Sequence, residues 1–384
     1  MPNQKLNLLL GLWNAPYLLG AYYYRAIKDH ANATTVGPAF HETQSDFELS
    51  PGQPIQPVID QLPTKCDFYV HFYSKPDIFP PDLHKLSIPK AWYVYDTHLH
   101  LEELAACAYL FDIVFCTDEM TKSKLHQLGV PCVEILPFAA EEALYYREQN
   151  GVQERKYDIG FAGSVKGHPT LRHREELLKR LSEKFNVRVE DKTLLGGEVA
   201  DFFQDCSLVL NHAVKDDINM RISETMMSGR PLLTPQVTGI ETYIKANKHA
   251  CIYDENSLES DIRHLLEKPE EAEAMALRGQ KLALEKHNYA VYGQKMLKHL
   301  EEELHKYAHG GRPHKSPYLV KAAQFRYHYF RYPGDAFQWL KGILCEKKSS
   351  SVSQLAKLML SGLIVIMKLL EKLGKGPYFQ EAVK

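Results

Sequence analysis

The residues best suited to chemistry lie in the stretch 216–231, where polar residues precede a short helical pattern. A helix that begins near Asn219 or Met220 would direct unpaired backbone N–H groups and a partial positive charge at a phosphate or diphosphate. Arg221 and Glu224 are three residues apart and share one face of that helix. The guanidinium could bind phosphate oxygens, and the carboxylate could accept hydrogen bonds from a ribose diol. An ordinary amphipathic helix with an Arg–Glu pair would show the same pattern.

A second group of reactive side chains, Asp96-Thr97-His98-Leu99-His100, directly follows an apolar run. If the strand continued, Asp96, His98 and His100 would share one face and could hold a metal ion. Alternatively, Asp96 caps the next helix beside a half-exposed histidine. In the third interpretation, Asp96 or His98 takes part in catalysis.

Short apolar runs alternate with helical patterns and would position these groups. Before residue 145 the predicted strands are 8–12, 68–72, 91–95, 113–116 and 132–136. After a polar linker at 141–156 the predicted strands are 157–162, 187–189, 208–210, 231–234 and 250–253. The pattern predicts an α/β protein with two successive doubly wound parallel sheets. Ligands bind at the carboxyl ends of such strands, which adds three sets of candidates: Gly11 with Asn14, Gly163 with Ser164, and Asn211 with His212.

Composition excludes several protein classes. The 384 residues are 45% hydrophobic and 24% charged, which is typical of globular domains and excludes a largely disordered chain. The seven scattered cysteines include no Cys-x-x-Cys pair, so we expect reduced core residues in a cytosolic protein. No run of about 18 apolar residues predicts a membrane-spanning helix, and we interpret 5–13 as a first buried strand rather than a secretory signal.

Charge is distributed unevenly along the chain. The net charge is −2, yet residues 305–384 contain 14 Lys and Arg against 4 Asp and Glu, together with many aromatic residues. This extension could be a helical appendage packed on the body, an interfacial membrane element or a nucleic-acid patch, and the last lacks a recognised module. The predicted domains are 1–145, 146–304 with final crossover helices, and the basic, aromatic, helical extension 305–384.

Several stretches carry a family resemblance. They are Tyr157-Asp158-Ile159-Gly160-Phe161-Ala162-Gly163-Ser164, Arg172 with Arg174, Asn219-Met220-Arg221 leading to Glu224, Gly229, His287-Asn288-Tyr289, and more weakly 67–69, 88–89, Asp96 and 111–115. On these residues the chain resembles the GT-B glycosyltransferases, in particular the CgeB-like, spore-maturation-type group related to the family-four retaining enzymes. The resemblance implies two Rossmann-like domains facing across a cleft, with a nucleotide-diphospho-sugar donor on the second domain and the acceptor on the first.

The wider retaining group has two acidic residues separated by seven others. The second corresponds to Glu224, at the ribose, and the first to Asp216, where glutamate is usual; Asp217 could substitute for it. The residues and the resemblance together predict three sets. Catalytic candidates are Asp96 and His98; donor-binding candidates are Gly163, Ser164, Lys166, Arg172, Asn211, Asp216, Asn219, Arg221 and Glu224; acceptor-binding candidates are Gly11, Asn14 and His100.

The resemblance therefore implies a glycosyltransferase that uses a UDP- or GDP-sugar without a bound cofactor or metal. It favours retention of the anomeric configuration. We expect a glycan, lipid-linked or other envelope acceptor, a cytoplasmic location at the inner face of the cell membrane, and no nucleic-acid partner. The alternative is a non-catalytic nucleotide- or glycan-binding protein on a degenerate GT-B fold.

Overall fold

The first half of the chain forms a parallel sheet. The computed structural model describes residues 5–38, 44–50, 52–73, 79–97, 104–105, 107–108, 110–127, 129–130, 132–166, 171–191, 194–213 and 216–308. The strands of the first sheet are β1 (Asn7–Gly11), β2 (Asn32–Gly37), β3 (Phe47–Glu48), β4 (Phe68–His71), β5 (Lys90–Tyr93), β6 (Ile113–Cys116) and β7 (Val133–Ile135). Their order is β3-β2-β1-β4-β5-β6-β7, and every pairing is parallel. Parallel strands covered on both faces are continuous apolar runs, and Leu8, Leu9 and Leu10 are accordingly all buried.

Helices connect these strands. They are α1 (Leu19–Ile27), α2 (Gln56–Ile59), α3 (Glu119–Gln127) and α4 (Glu142–Tyr145). The start of α3 follows from its sequence, because Asp118 Oδ1 accepts the backbone N–H of Thr121 at 2.7 Å and satisfies a donor that has no partner within the helix.

The second half repeats this construction. Its strands are β8 (Tyr157–Ala162), β9 (Val187–Glu190), β10 (Cys206–Leu210), β11 (Leu232–Pro235) and β12 (Cys251–Tyr253), in the order β12-β11-β10-β8-β9. Its helices are α5 (Arg172–Ser182), α6 (Gly197–Gln204), α7 (Arg221–Met227), α8 (Ile240–Tyr243), α9 (Leu258–Glu267), α10 (Pro269–Lys286) and α11 (Tyr289–Ala308). The predicted α/β class with two doubly wound parallel sheets is confirmed.

The last described helix returns to the first half. Tyr289, Tyr292 and Met296 of α11 belong to the core that contains Tyr22 and Tyr23 of α1. The break between α10 and α11 falls at residues 287–288.

Two expectations differ from the structure. The sequence does not predict β2 and β3, because neither contains a continuous apolar run. The predicted linker 141–156 contains α4 and is anchored to the second half: Arg147 pairs with Asp201 at 2.7 Å, and the Gln149 amide donates to the Ser228 carbonyl at 2.9 Å. Most of the predicted extension, from residue 309 onward, lies outside the described residues.

None of the helices between residues 5 and 308 that the structure describes combines the length and hydrophobicity of a membrane-spanning segment. Within the same ranges, none of the cysteines forms a disulfide bond.

Candidate functional site

A cavity of about 240 Å³ opens at the carboxyl ends of β8 and β10, and the loop after β5 contributes to its wall. We call it the interdomain cavity. Its lining residues are Asp96, Phe161, Ala162, Gly163, Arg174, Asn211, His212, Asp217, Asn219, Met220 and Arg221. This is where an open parallel sheet binds ligands, because the loops that leave its strands converge there.

Arg174 provides one positive charge of this cavity. It lies on the same face of α5 as the buried residues Leu177, Leu178 and Leu181, so its side chain is buried rather than exposed to solvent. Its terminal nitrogens donate to the carbonyls of Ser164, at 2.6 Å, and His212. The guanidinium carbon lies 5.2 Å from the centre of the Phe161 ring. Backbone carbonyls and an aromatic face therefore hold a buried guanidinium that has no carboxylate partner among the described residues.

Arg221 provides the second positive charge. Arg221 lines the same cavity as Arg174, and burial, followed by repulsion from Arg221, lowers the pKa of Arg174. An anion bound between them would relieve this repulsion. Arg221 also pairs with Glu224 at 2.6 Å, one turn later on α7. This pair leaves one cavity wall with a guanidinium of fixed orientation.

Glu224 itself is not at the surface of the cavity. The residue is only 3% exposed and lies beneath Arg221. Burial, and then the negative charge of Glu224, raises the pKa of the Tyr145 hydroxyl. Glu224 thus orients Arg221 from behind.

The carboxyl groups of Asp217 and Asp96 both line the interdomain cavity. Burial, then the charges of Asp96, Asp118 and Asp216, raise the pKa of Asp217 to about 7. The neighbouring Asp216 is exposed, and its Oδ1 accepts the backbone N–H of Thr238 at 2.6 Å. Of the two adjacent aspartates, Asp217 is therefore the one that lines the cavity.

Asp96 reaches the cavity through an unusual backbone conformation. Its φ of +56° lies in the left-handed region, which non-glycine residues seldom adopt and which is concentrated at functional sites. At Asp96 this conformation ends the extended backbone that follows β5. His98 and His100, which the sequence analysis grouped with Asp96, lie outside the described residues.

Polar side chains form the floor. The Asn219 amide donates to Asn211 Oδ1 at 3.1 Å, and its Oδ1 accepts the backbone N–H of Arg221 at 3.1 Å. The Tyr253 hydroxyl donates to the Asn211 carbonyl, so its hydrogen bond with His212 Nδ1 requires that Nδ1 carry the proton. Burial, then Arg174, lowers the pKa of His212 to about 4. His212 is therefore a neutral imidazole whose Nε2 can accept a hydrogen bond.

Gly163 marks the end of β8. Its φ of +154° is a conformation that side chains disfavour, and its N–H donates to the Glu190 carbonyl at 3.0 Å. A glycine here lets a ligand approach the backbone closely. Next to it, Ser164 contributes the carbonyl that holds Arg174.

The remaining predicted residues lie elsewhere. Arg172 is on the outer face of α5, 83% exposed in its side chain, and pairs with Glu176. Lys166 is exposed and does not line the cavity. In the first half, Gly11 is buried at the end of β1, and the Asn14 amide donates to the Gln44 carbonyl at 3.0 Å.

Sequence reasoning left Arg174 and His212 out of the donor set. The signal for Arg174 was present, because an arginine at the i position of an i, i+3, i+4, i+7 leucine pattern must be buried with them. No local signal distinguishes the orientation of His212, since its partner Tyr253 is 41 positions away.

Solved structures share this architecture. Sucrose-phosphate synthase from Thermosynechococcus elongatus matches with a TM-score of 0.60 at 10% identity, over 79% of this chain and 100% of that one. The fold is of the GT-B type. The same GT-B arrangement relates the chain to the Anabaena protein Alr3699/HepE in complex with UDP, with a TM-score of 0.58 at 12% identity over 78% of this chain and 100% of that one. Trehalose 6-phosphate synthase from Burkholderia multivorans matches with a TM-score of 0.54 at 10% identity, over 80% and 100% of the two chains.

The sequence itself is similar to one family model. Residues 172–298 match the model described as glycosyl transferase-like. No curated protein matches the sequence. The matched stretch runs from α5 into α11 and includes Arg174 and Arg221.

Proposed function

We propose that this protein is a glycosyltransferase that transfers a sugar from a nucleotide-diphospho-sugar to an acceptor hydroxyl. One observation carries the proposal: two guanidinium groups, Arg174 and Arg221, converge on a cavity that Asp96 and Asp217 also line. Arginines match the charge and geometry of a diphosphate. Carboxylates suit the positive charge that develops on a sugar ring when its glycosidic bond breaks.

In the proposed complex the diphosphate lies between Arg174 and Arg221, against the Gly163 backbone. The amides of Asn211 and Asn219 are within the same cavity and would complete the polar surface. In this complex Glu224 orients Arg221. The family resemblance implies that Glu224 also contacts the ribose. For that contact the ribose would have to reach the buried carboxylate past Arg221. The Anabaena protein was solved with UDP and with UDP-glucose, which supports UDP-sugars as the first donors to test.

The proposed reaction places charge where these groups can stabilise it. The bond between the sugar C1 and the β-phosphate oxygen breaks, and the nucleoside diphosphate leaves with the electron pair. The acceptor oxygen bonds to C1, and in the retaining course its proton passes to the departing diphosphate. Arg174 and Arg221 stabilise the charge that develops on that diphosphate, and they do so from fixed positions.

Retention and membership of the CgeB-like group are parts of this proposal that rest on the family resemblance. The resemblance also implies an acceptor on the first half of the chain, for which Gly11, Asn14 and His100 are the proposed residues. An envelope or lipid-linked acceptor at the cytoplasmic face of the membrane is a further part of the proposal. Proton NMR of the product anomer tests retention directly. The basic extension at 305–384 motivates the membrane location, and vesicle binding by the full chain measures it.

The decisive experiment is a thermal-shift panel of UDP, GDP and their sugar conjugates, followed by a nucleotide-release assay. A nucleotide at about 100 times its dissociation constant stabilises its binding protein by about 2.7 kcal/mol. We expect one nucleotide to stabilise the protein and to be released from its sugar conjugate when an acceptor is added. Binding without release across an acceptor panel would favour the alternative of a non-catalytic nucleotide-binding protein, and absence of binding would refute both.

A further inference from the structure

A second cavity, of about 510 Å³, lies between the segment that follows α8 and the carboxyl-terminal half of α10. We call it the basic cavity. It shares no lining residue with the interdomain cavity. Five lysine and arginine side chains line it, against the two glutamates Glu241 and Glu285. Its volume falls in the range of small-molecule sites.

Most of these positive charges are not neutralised by the protein. Lys281 pairs with Glu285 at 3.9 Å. Lys245, Lys248, Arg278 and Lys286 form no ion pair with a carboxylate of the described residues. Like charges gathered around one concave surface repel one another and raise the local concentration of anions.

The cavity wall is also held in a defined geometry. A Cβ on Gly279 would lie 2.6 Å from the His249 carbonyl oxygen, so only glycine lets α10 approach this segment so closely. That approach allows Arg278 Nε to donate to the Lys248 carbonyl at 2.8 Å. The guanidinium is thereby anchored through one nitrogen, and its terminal N–H groups can serve a ligand.

His249 adds a neutral donor. The backbone N–H of Lys245 donates to His249 Nδ1 at 3.2 Å, which requires an unprotonated Nδ1 and places the ring proton on Nε2. Burial, then Lys248, Lys245, Arg278 and Lys286, lowers the pKa of His249, so these four cations surround it. A ligand here meets cations together with an N–H donor.

We propose that the basic cavity binds a phosphorylated ligand that carries at least two negative charges. The phosphate could belong to a free metabolite or to an anionic lipid headgroup, and both present the same oxygens to Arg278 and the lysines. A diphosphate or two phosphates could contact Lys245 and Lys248 on one wall and Arg278 on the other.

The test compares two double variants of the full chain. Lys245→Ala/Lys248→Ala removes two cations of the basic cavity, and Lys65→Ala/Lys179→Ala removes two exposed lysines that line neither cavity. Inorganic pyrophosphate is titrated into each protein by calorimetry. The parent protein and both double variants keep Arg174 and Arg221, so pyrophosphate bound at these arginines contributes equally to the three titrations.

We expect the first double variant to lose one pyrophosphate site or to bind there at least tenfold more weakly, as two lost charge-assisted contacts predict. The control should remain within twofold of the parent. Equal pyrophosphate binding by both variants would overturn the proposal, as would absence of pyrophosphate binding outside the interdomain cavity.

Vesicles distinguish the two phosphate sources. Co-sedimentation with vesicles that contain cardiolipin, whose headgroup carries two phosphates, assigns a headgroup if it falls in the first double variant but not in the control. Unchanged co-sedimentation with lost pyrophosphate binding assigns a free metabolite. The thermal shift produced by UDP should be the same in all three proteins. Failure of the donor proposal would remove that shift and leave the pyrophosphate result unaffected.

Discussion

The Asp217 carboxyl occupies an unfavourable place for a negative charge, which makes the stability of the protein depend on pH. Its pKa is raised from 3.8 to about 7, first by burial and then by Asp96, Asp118 and Asp216. A tenfold change in a protonation equilibrium corresponds to about 1.4 kcal/mol, so the ionised carboxylate destabilises the folded state by up to about 4 kcal/mol. Partial exposure of the side chain reduces this to roughly 1–2 kcal/mol.

The direction follows from proton binding. The folded protein binds the proton more tightly than the unfolded chain, so the stabilising contribution is present at low pH. The free energy of unfolding should therefore fall as the pH rises from about 4 to about 7 and then level off.

Asp217→Asn replaces the carboxyl with a neutral group of the same shape and should remove this dependence. We expect the stability advantage of the variant over the parent to grow by roughly 0.5–1 kcal/mol between pH 5 and pH 8, because part of the change is already complete at pH 5. Urea unfolding followed by circular dichroism at both pH values measures it. Asp216→Asn is the comparison variant: it removes only one of the charges that raise the pKa of Asp217, so its stability difference from the parent should change less with pH than that of Asp217→Asn.

Under the proposed function, Asp217→Asn should also lower transfer by roughly two orders of magnitude while making the protein more stable at pH 8. If the stability difference between Asp217→Asn and the parent is the same at pH 5 and pH 8, Asp217 is not buried close to other negative charges, and the reasoning is refuted.

Three further predictions test other parts of the structure. Arg174→Gln should weaken UDP binding by at least about tenfold in calorimetry, as for a lost charged hydrogen bond, whereas Arg172→Gln on the exposed face of the same helix should leave it unchanged; equal effects would refute the assignment. Asp96→Asn should lower the transfer rate about 100-fold at unchanged UDP affinity, and normal turnover would return Asp96 to a structural role. Glu273→Ala should lower the free energy of unfolding in urea by about 3–5 kcal/mol, because it leaves Arg230, 1% exposed in its side chain and 2.7 Å from that carboxylate, buried and unpaired. A loss below about 1 kcal/mol would mean that water reaches Arg230.

Local sequence signals were enough for most of the fold. β6 at Ile113–Cys116 is apolar throughout, β8 at Tyr157–Ala162 is apolar over its last four residues, and both lie where the pattern predicts. A strand buried on both faces must be apolar throughout, so this signal needs no knowledge of neighbours. β2 lacks it, because Asn32, Thr34 and Thr35 are polar, and pairing with β1 makes this segment a strand.

In the candidate site, too, the sequence determined some features and the tertiary structure decided others. The sequence by itself determined that Arg221 stands at the start of a helix after a strand and that Glu224 shares its face. The leucine spacing of α5 indicated that Arg174 rather than Arg172 is buried, and the tertiary structure decided that it lines the cavity together with Arg221. It likewise decided that Asp217 rather than Asp216 does so. Residue type and helical phase are local properties. The burial of Asp217, and the repulsion from Asp96 and Asp118 that further raises its pKa, depend on the packing of the two halves.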